Sequence, residues 1–137
     1  MNKASNRTKN NLYGVHHKLV MLVGYALAIS KQDFFINEGL RTAETQNKYY
    51  KQGTSQLDGY TKRGKHQDDL STEDIDARAV DVYYTGWTNK DIPNDPRWIP
   101  VHDAFKRAAE MLGIKIVFGK DWKSFVDRPH IELAKGE

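Results

Sequence analysis

The chain has no cysteine, which excludes disulfide bonds, thiolate nucleophiles and the usual cysteine-rich structural zinc sites. Any nucleophile must be an oxygen, a histidine or a metal-activated water. Acid is missing from residues 1–31, which carry Lys3, Arg7, Lys9, Lys18 and Lys31, whereas residues 68–76 hold Asp68, Asp69, Glu73, Asp74 and Asp76. With a net charge of +3 and a pI near 9.0, the basic part is either a solvated face or a surface attracted to an anionic polymer such as nucleic acid or bacterial wall. Internal repeats, low-complexity tracts and interdomain linkers are also lacking. At 137 residues and 39% apolar content, residues 1–137 fit a single domain with one core.

No apolar run is long enough to span a bilayer: Leu19 to Ile29 is 11 residues. Following a basic start, with Ala26 and Ala28 spaced like a cleavage site, it resembles a secretory signal peptide. Its apolar spacing, however, continues upstream through Leu12, Val15 and Leu19 and on through Leu22, Val23 and Ala26. That is the period of a core-facing helix, and the run is read as one rather than as an export segment.

The remaining pattern is mixed α and β. "DFFINEGL" (residues 33–40) fits a strand, and "RTAETQNKYYKQG" (41–53) a helix capped at Thr42 and stopped by glycine. Residues 54–78 lack periodicity and read as a long surface loop, of the kind that is functional or mobile in a compact domain. "AVDVYY" is the next strand. A helix carrying Trp98, Val101, Phe105, Ala108 and Leu112 ends at Gly113, followed by strands at 114–119 and 129–133. The expected class is α+β: a small antiparallel sheet flanked by about three helices.

A catalytic zinc site takes three ligands from the His/Asp/Glu set and leaves one position open. His66, Asp81 and His130 can supply such a set if the strands that bear the last two are neighbours. Asp127, three residues before His130, is placed to act as a general base on a water rather than as a ligand. Of the other histidines, His16, His17 and His102 sit in helical stretches and suit surface or satisfied roles. Asp81 lies within an otherwise apolar strand, and a carboxylate there is costly to bury unpaired. It needs a cation, which a metal, Arg41 or Arg78 could each provide.

Several segments together resemble the D-alanyl-D-alanine metallopeptidase (hedgehog-like) family, and within it the phage endolysins of the L-alanyl-D-glutamate peptidase type. "SKQDFFINEGLRTAETQNKYYKQGTS" resembles the segment ahead of the first ligand, with Gly-x-Arg-Thr and Asn-Gly-Thr-Ser-like elements. "KH" followed by "RAVD" resembles the Ser-x-His-x-x-Gly-x-Ala-x-Asp motif. "RAAEMLGIKIVFGKDW" resembles the following helix, strand and Gly-x-Asp-Trp turn, and "DRPHIEL" the terminal acid-x-x-His motif, with aspartate as in the endopeptidases. There are departures. Gly64 stands where the motif has serine, 14 residues separate His66 from Asp81 where the motif has six, and the stretch from Trp122 to Asp127 is short.

The resemblance implies zinc held by His66, Asp81 and His130, Asp127 as general base, and Arg41 stabilising an oxyanion or orienting a substrate carboxylate. It implies cleavage of the L-alanyl-D-glutamate bond of peptidoglycan for host lysis. Such an enzyme is made in the host cytoplasm and released to the wall in the periplasm, without a signal peptide or transmembrane segment, and is expected to be a monomer. The alternatives are a D,D-carboxypeptidase or dipeptidase removing D-alanine, and a non-catalytic, metal-bearing wall-binding module. Nucleic-acid binding is not expected, since "YTKRGKH" (60–66) is the nearest approach to a basic motif with interleaved aromatics. The insert "DDLSTED" has enough carboxylates for a second cation such as Ca2+, but its spacing lacks a regular calcium-loop pattern and suits a solvated acidic loop.

Overall fold

The structure is a computed structural model that describes residues 1–70 and 75–137. Its elements run α1 (Asn6–Asn11), α2 (His17–Ile29), β1 (Phe34–Glu38), α3 (Ala43–Lys51), β2 (Ala79–Tyr84), α4 (Trp98–Leu112), β3 (Ile116–Phe118), a 3₁₀ turn (Gly119–Asp121) and β4 (His130–Leu133). The strands form one antiparallel sheet in the order β1-β2-β4-β3. This is the α+β class expected, with the short α1 added to the helices anticipated.

Side chains alternate across a strand, so each of the two central strands has a core face and an opposite face. Val80, Val82 and Tyr84 of β2, with Ile131 and Leu133 of β4, join Leu19, Leu22, Val23, Ala26 and Leu27 of α2 and Val101, Phe105 and Ala108 of α4 in the core. Burying each large aliphatic or aromatic side chain contributes about 1.5–3 kcal/mol, so this layer carries the fold. Phe34 meets Phe105 with ring centroids 5.1 Å apart, and Tyr84 meets Trp98 edge-on at 5.1 Å. Asp81, between Val80 and Val82 on β2, and His130, next to Ile131 on β4, face the other way.

The helices start and stop for local reasons. Thr42 caps α3 by accepting from the Thr45 N–H, as its sequence suggested. Gly113 ends α4 in the left-handed region at φ 67°. The N-terminal apolar stripe is not one helix: Gly14 turns the chain at φ 77°, Val15 bridges Ala77, and α2 begins only after His16, whose Nδ1 accepts from the Lys18 N–H. α1 instead lies against the outer edge of β1. Thr8 Oγ1 accepts from the Ile36 N–H at 3.0 Å, and Asn11 donates to the Ile36 carbonyl at 2.9 Å, so the edge strand is covered.

The expectation of a surface loop over 54–78 also needs correction. His66, Gln67 and Ala77 are buried, because polar side chains inside the segment satisfy its backbone. Asp58 accepts the N–H groups of Tyr60, Thr61 and Lys62, while Gln67 accepts from Gly64 and donates to the Gly59 carbonyl. Residues 71–74, on which much of the second-cation expectation falls, lie outside the described residues. Of that insert's flanks, Asp68 accepts from the Asp76 N–H.

Candidate metal centre

The site is built on the solvent-side face of the sheet. Asp81 and His130 are direct cross-strand partners of β2 and β4, which places their side chains next to each other. Glu38 joins them through an irregularity in β1. Phe34 and Ile36 face the core, and strict alternation would send Glu38 the same way. A register shift between Ile36 and Glu38 instead sets Glu38 opposite Asp81, the re-aiming that a β-bulge produces.

His66 arrives from outside the sheet. Its carbonyl accepts from the Arg41 N–H at 2.7 Å, and the neighbouring Lys65 carbonyl accepts from Arg78 at 2.8 Å, so the backbone is tied on both sides. Its Nδ1 donates to the Gly39 carbonyl at 2.9 Å, which turns Nε2 toward Asp81 Oδ1 at 3.1 Å. Gly39 suits this crowded position because a Cβ there would come 2.1 Å from the Asn11 carbonyl oxygen.

One ligand atom from each of His66, Asp81 and His130 falls within 4.8 Å of the others, and both histidines are buried. His130 Nδ1 is 3.7 Å from Asp81 Oδ1, and its Nε2 is 2.8 Å from Glu132 Oε1. Each imidazole is thus held by one nitrogen with the other directed inward, the arrangement that orients metal-ligating histidines. Two imidazole nitrogens and a carboxylate oxygen, free of sulfur, suit zinc or a neighbouring divalent ion. Burial pushes the Asp81 carboxyl up, but the charges and hydrogen bonds of His66 and His130 outweigh it and hold the group well below the usual range. Burial pulls His130 down, while its hydrogen bonds to Asp81 and Glu132 lift it to about 9. A negative Asp81 and a net affinity for positive charge between these groups are what a cation site requires.

The three residues line a cleft of about 500 Å³ that also contains Arg41, Asp127 and Trp122. Burial, followed by repulsion from Asp81, raises the Asp127 carboxyl. The turn bearing Asp127 is fastened by its own N–H to the Gly119 carbonyl at 3.0 Å, and only glycine fits there: a Cβ on Gly119 would sit 2.2 Å from the Asp127 carbonyl oxygen. Trp122 lies over His130 with ring centroids 4.8 Å apart.

Arg41 enters the cleft just before α3. It pairs with Glu38, donates from Nη1 to Gln46 Oε1 at 2.7 Å, lies 4.8 Å from the Tyr49 ring centroid and comes within 3.9 Å of Asp81 Oδ2. Gln46 is fully buried and donates in turn to Ser55 Oγ and the Leu57 carbonyl, joining Arg41 to the far wall of the cleft. Arg78, the other cation considered for Asp81, instead donates to the Glu137 and Ala134 carbonyls. His102 is buried and meets the Arg128 carbonyl at 2.9 Å, and His16 caps α2; both have the satisfied roles expected of them.

Sequence reasoning missed Glu38, Gln46 and Glu132. Glu132 had a usable signal, since it lies two residues from His130 on a strand and so shares its face. Gln46 had none beyond its place on α3. A larger groove of about 970 Å³, lined by Trp98, His102 and Phe118, lies between α4 and β3 and shares no lining residue with the metal-site cleft.

Comparison with known proteins identifies the family. The phage L-alanyl-D-glutamate peptidase family profile matches residues 1–134. The L-alanyl-D-glutamate peptidase of Escherichia phage T5 is 30% identical over 136 residues, covering 98% of this chain and 90% of that protein. The crystal structure of the Serratia marcescens L-Ala D-Glu endopeptidase ChiX superposes with a TM-score of 0.75 at 30% identity, over 94% of this chain and 87% of that one. With its fold, its cluster of His66, Asp81 and His130 and its matched length all in accord, this chain belongs to the phage L-alanyl-D-glutamate peptidase family.

Proposed function

We propose that residues 1–137 form the catalytic domain of a zinc-dependent endolysin that hydrolyses the L-alanyl-D-glutamate bond of peptidoglycan stem peptides and so lyses the host cell. The observation that carries this reading is the convergence of His66, Asp81 and His130 within 4.8 Å, in a cleft that also holds Asp127. The sequence motifs favour placing the group in the wider D-alanyl-D-alanine metallopeptidase family.

Zinc would be held by His66 Nε2, a carboxylate oxygen of Asp81 and His130 Nδ1; when bound, it supplies Lewis-acid polarisation of a carbonyl and acidification of a water. The rest of the chemistry belongs to the chain. The Asp127 carboxylate takes a proton from the attacking water and returns it to the leaving amine of D-glutamate. Its raised pKa suits both duties, since a more basic carboxylate takes the proton from water more readily and keeps it until the leaving amine can receive it. Arg41 directs its guanidinium at the negative charge that develops on the scissile carbonyl oxygen or at a carboxylate of the substrate. Glu38 and Gln46 keep that guanidinium in one orientation. Trp122 shields one side of His130 from water.

A monomeric enzyme made in the host cytoplasm and released to the wall at lysis fits this chemistry. The test is release of new amino groups from purified peptidoglycan. Zinc-loaded protein should release them, a chelator should abolish release, and added zinc should restore it. Equal release from metal-free protein would overturn the proposal.

A further inference from the structure

The two long helices differ on their outer faces. The outer face of α4 exposes Ile99 and Met111 among Asp103, Lys106, Arg107 and Glu110, so charges of both signs break up its apolar side chains. α2 buries Leu19, Leu22, Val23, Ala26 and Leu27, yet its opposite face consists of His17, Val20, Met21, Gly24, Tyr25 and Ala28. No aspartate, glutamate, lysine or arginine interrupts it. Val20, Met21 and Tyr25 are 38%, 44% and 45% exposed. A helix apolar on every side normally has both sides covered.

The surroundings of this face are cationic. Lys31 is exposed just beyond the C-terminal end of α2. Asn2 donates to the Ser30 carbonyl at 2.8 Å, which brings the exposed Lys3 to the same end. Lys18 lies in the first turn, paired with Glu137 at 3.1 Å, and residues 1–31 contain no acid. Asp33, the first acid of the chain, is engaged by Thr85 Oγ1 at 2.9 Å.

We propose that the outer face of α2 docks, parallel to the surface, on an anionic phospholipid bilayer, with Val20, Met21 and Tyr25 entering the headgroup boundary and Lys3 and Lys31 meeting lipid phosphates. Apolar side chains bordered by exposed lysines match both layers of such a surface. A wall polyanion would engage the lysines but offer nothing to the apolar side chains. A second copy of the chain would bring two basic segments together. It would also bury too little: the face has six residues, against the roughly 20–30 a side of a stable interface. Docking is peripheral, since no helix among the described residues is long and apolar enough to cross a membrane. It serves to hold the protein at the envelope independently of hydrolysis.

The experiment is flotation of the full chain with vesicles of phosphatidylglycerol and phosphatidylethanolamine, against vesicles of phosphatidylcholine alone. The protein should float with the anionic vesicles only, less so as salt is added. Met21→Glu with Tyr25→Glu should weaken that binding at least about tenfold while leaving the thermal melt and turnover on purified peptidoglycan unchanged. As a second readout, Tyr25→Trp should show a blue shift in emission with anionic vesicles and none with phosphatidylcholine. Failure to float with anionic vesicles, or flotation that the double substitution does not alter, overturns the proposal. So does a dimer in sedimentation that the double substitution dissolves, or binding sensitive to it that occurs on peptidoglycan sacculi and not on vesicles.

Discussion

Nε2 of His130 and Oε1 of Glu132 lie 2.8 Å apart on one face of β4, leaving Nδ1 of the same ring turned toward Asp81. The carboxylate therefore selects which imidazole nitrogen faces the cleft. Glu132→Ala is expected to weaken zinc affinity by about 10- to 100-fold, and Glu132→Gln, which retains an acceptor, by less. Competition with a chromophoric chelator measures both. Equal affinity in all proteins would remove Glu132 from the account.

Asp127 and His130 are three residues apart but have separable roles. Asp127→Ala is expected to bind zinc normally and lose about 10²- to 10⁴-fold in kcat. His130→Ala should lose zinc and activity together. Metal content by mass spectrometry beside turnover on peptidoglycan distinguishes them, and a fully active Asp127→Ala protein would rule out the general-base role.

Arg41 depends on neighbours that fix its fork. Arg41→Ala should lower kcat/KM by about 10²- to 10³-fold with zinc content unchanged. Gln46→Ala should reduce kcat/KM as well and destabilise the fold by about 1–3 kcal/mol, because Arg41, Ser55 and the Leu57 carbonyl lose partners in a buried place. Denaturant melts and steady-state kinetics of the two variants separate positioning from stability. Wild-type kcat/KM in Arg41→Ala would show that the guanidinium serves only its structural contacts with Glu38, Gln46 and Tyr49.

His102 makes stability depend on pH. Burial lowers its pKa in the fold, so the folded state holds the neutral ring while the unfolded chain takes up a proton near 6.5. The stability it contributes is present above about 6.5 and is lost as pH falls below that value toward the lowered folded pKa. His16 is shifted in the same direction, again chiefly by burial. The melting temperature should therefore fall less between pH 7 and pH 5 in His102→Gln than in the wild type. Parallel curves would show that His102 titrates alike in both states.

What the sequence disclosed depended on how local the cause was. The Thr42 cap, the Gly113 stop and the stripe from Trp98 to Leu112 are written within a few residues, and α3 and α4 formed where expected. The residues of the cleft were visible by type, since a carboxylate inside "AVDVYY" demands a cation wherever the strand lies. Their meeting depended on β2 and β4 being neighbours, which no local pattern encodes. Glu38 was hidden because the bulge reverses the face its position implies, and Gln46 because a glutamine on a polar helix gives no sign of full burial. The helix drawn through Leu12 and Val15 failed at Gly14, where a positive φ ended a periodicity that apolar spacing alone would have continued.

The most direct measurement is mass spectrometry of purified Gram-negative peptidoglycan after incubation with zinc-loaded protein, with and without chelator. Stem peptides with a new amino terminus at D-glutamate should appear, and should be absent when the metal is removed. Free D-alanine in place of those peptides would contradict the assigned bond, and no metal-dependent product from folded, zinc-bound protein would contradict the enzyme itself.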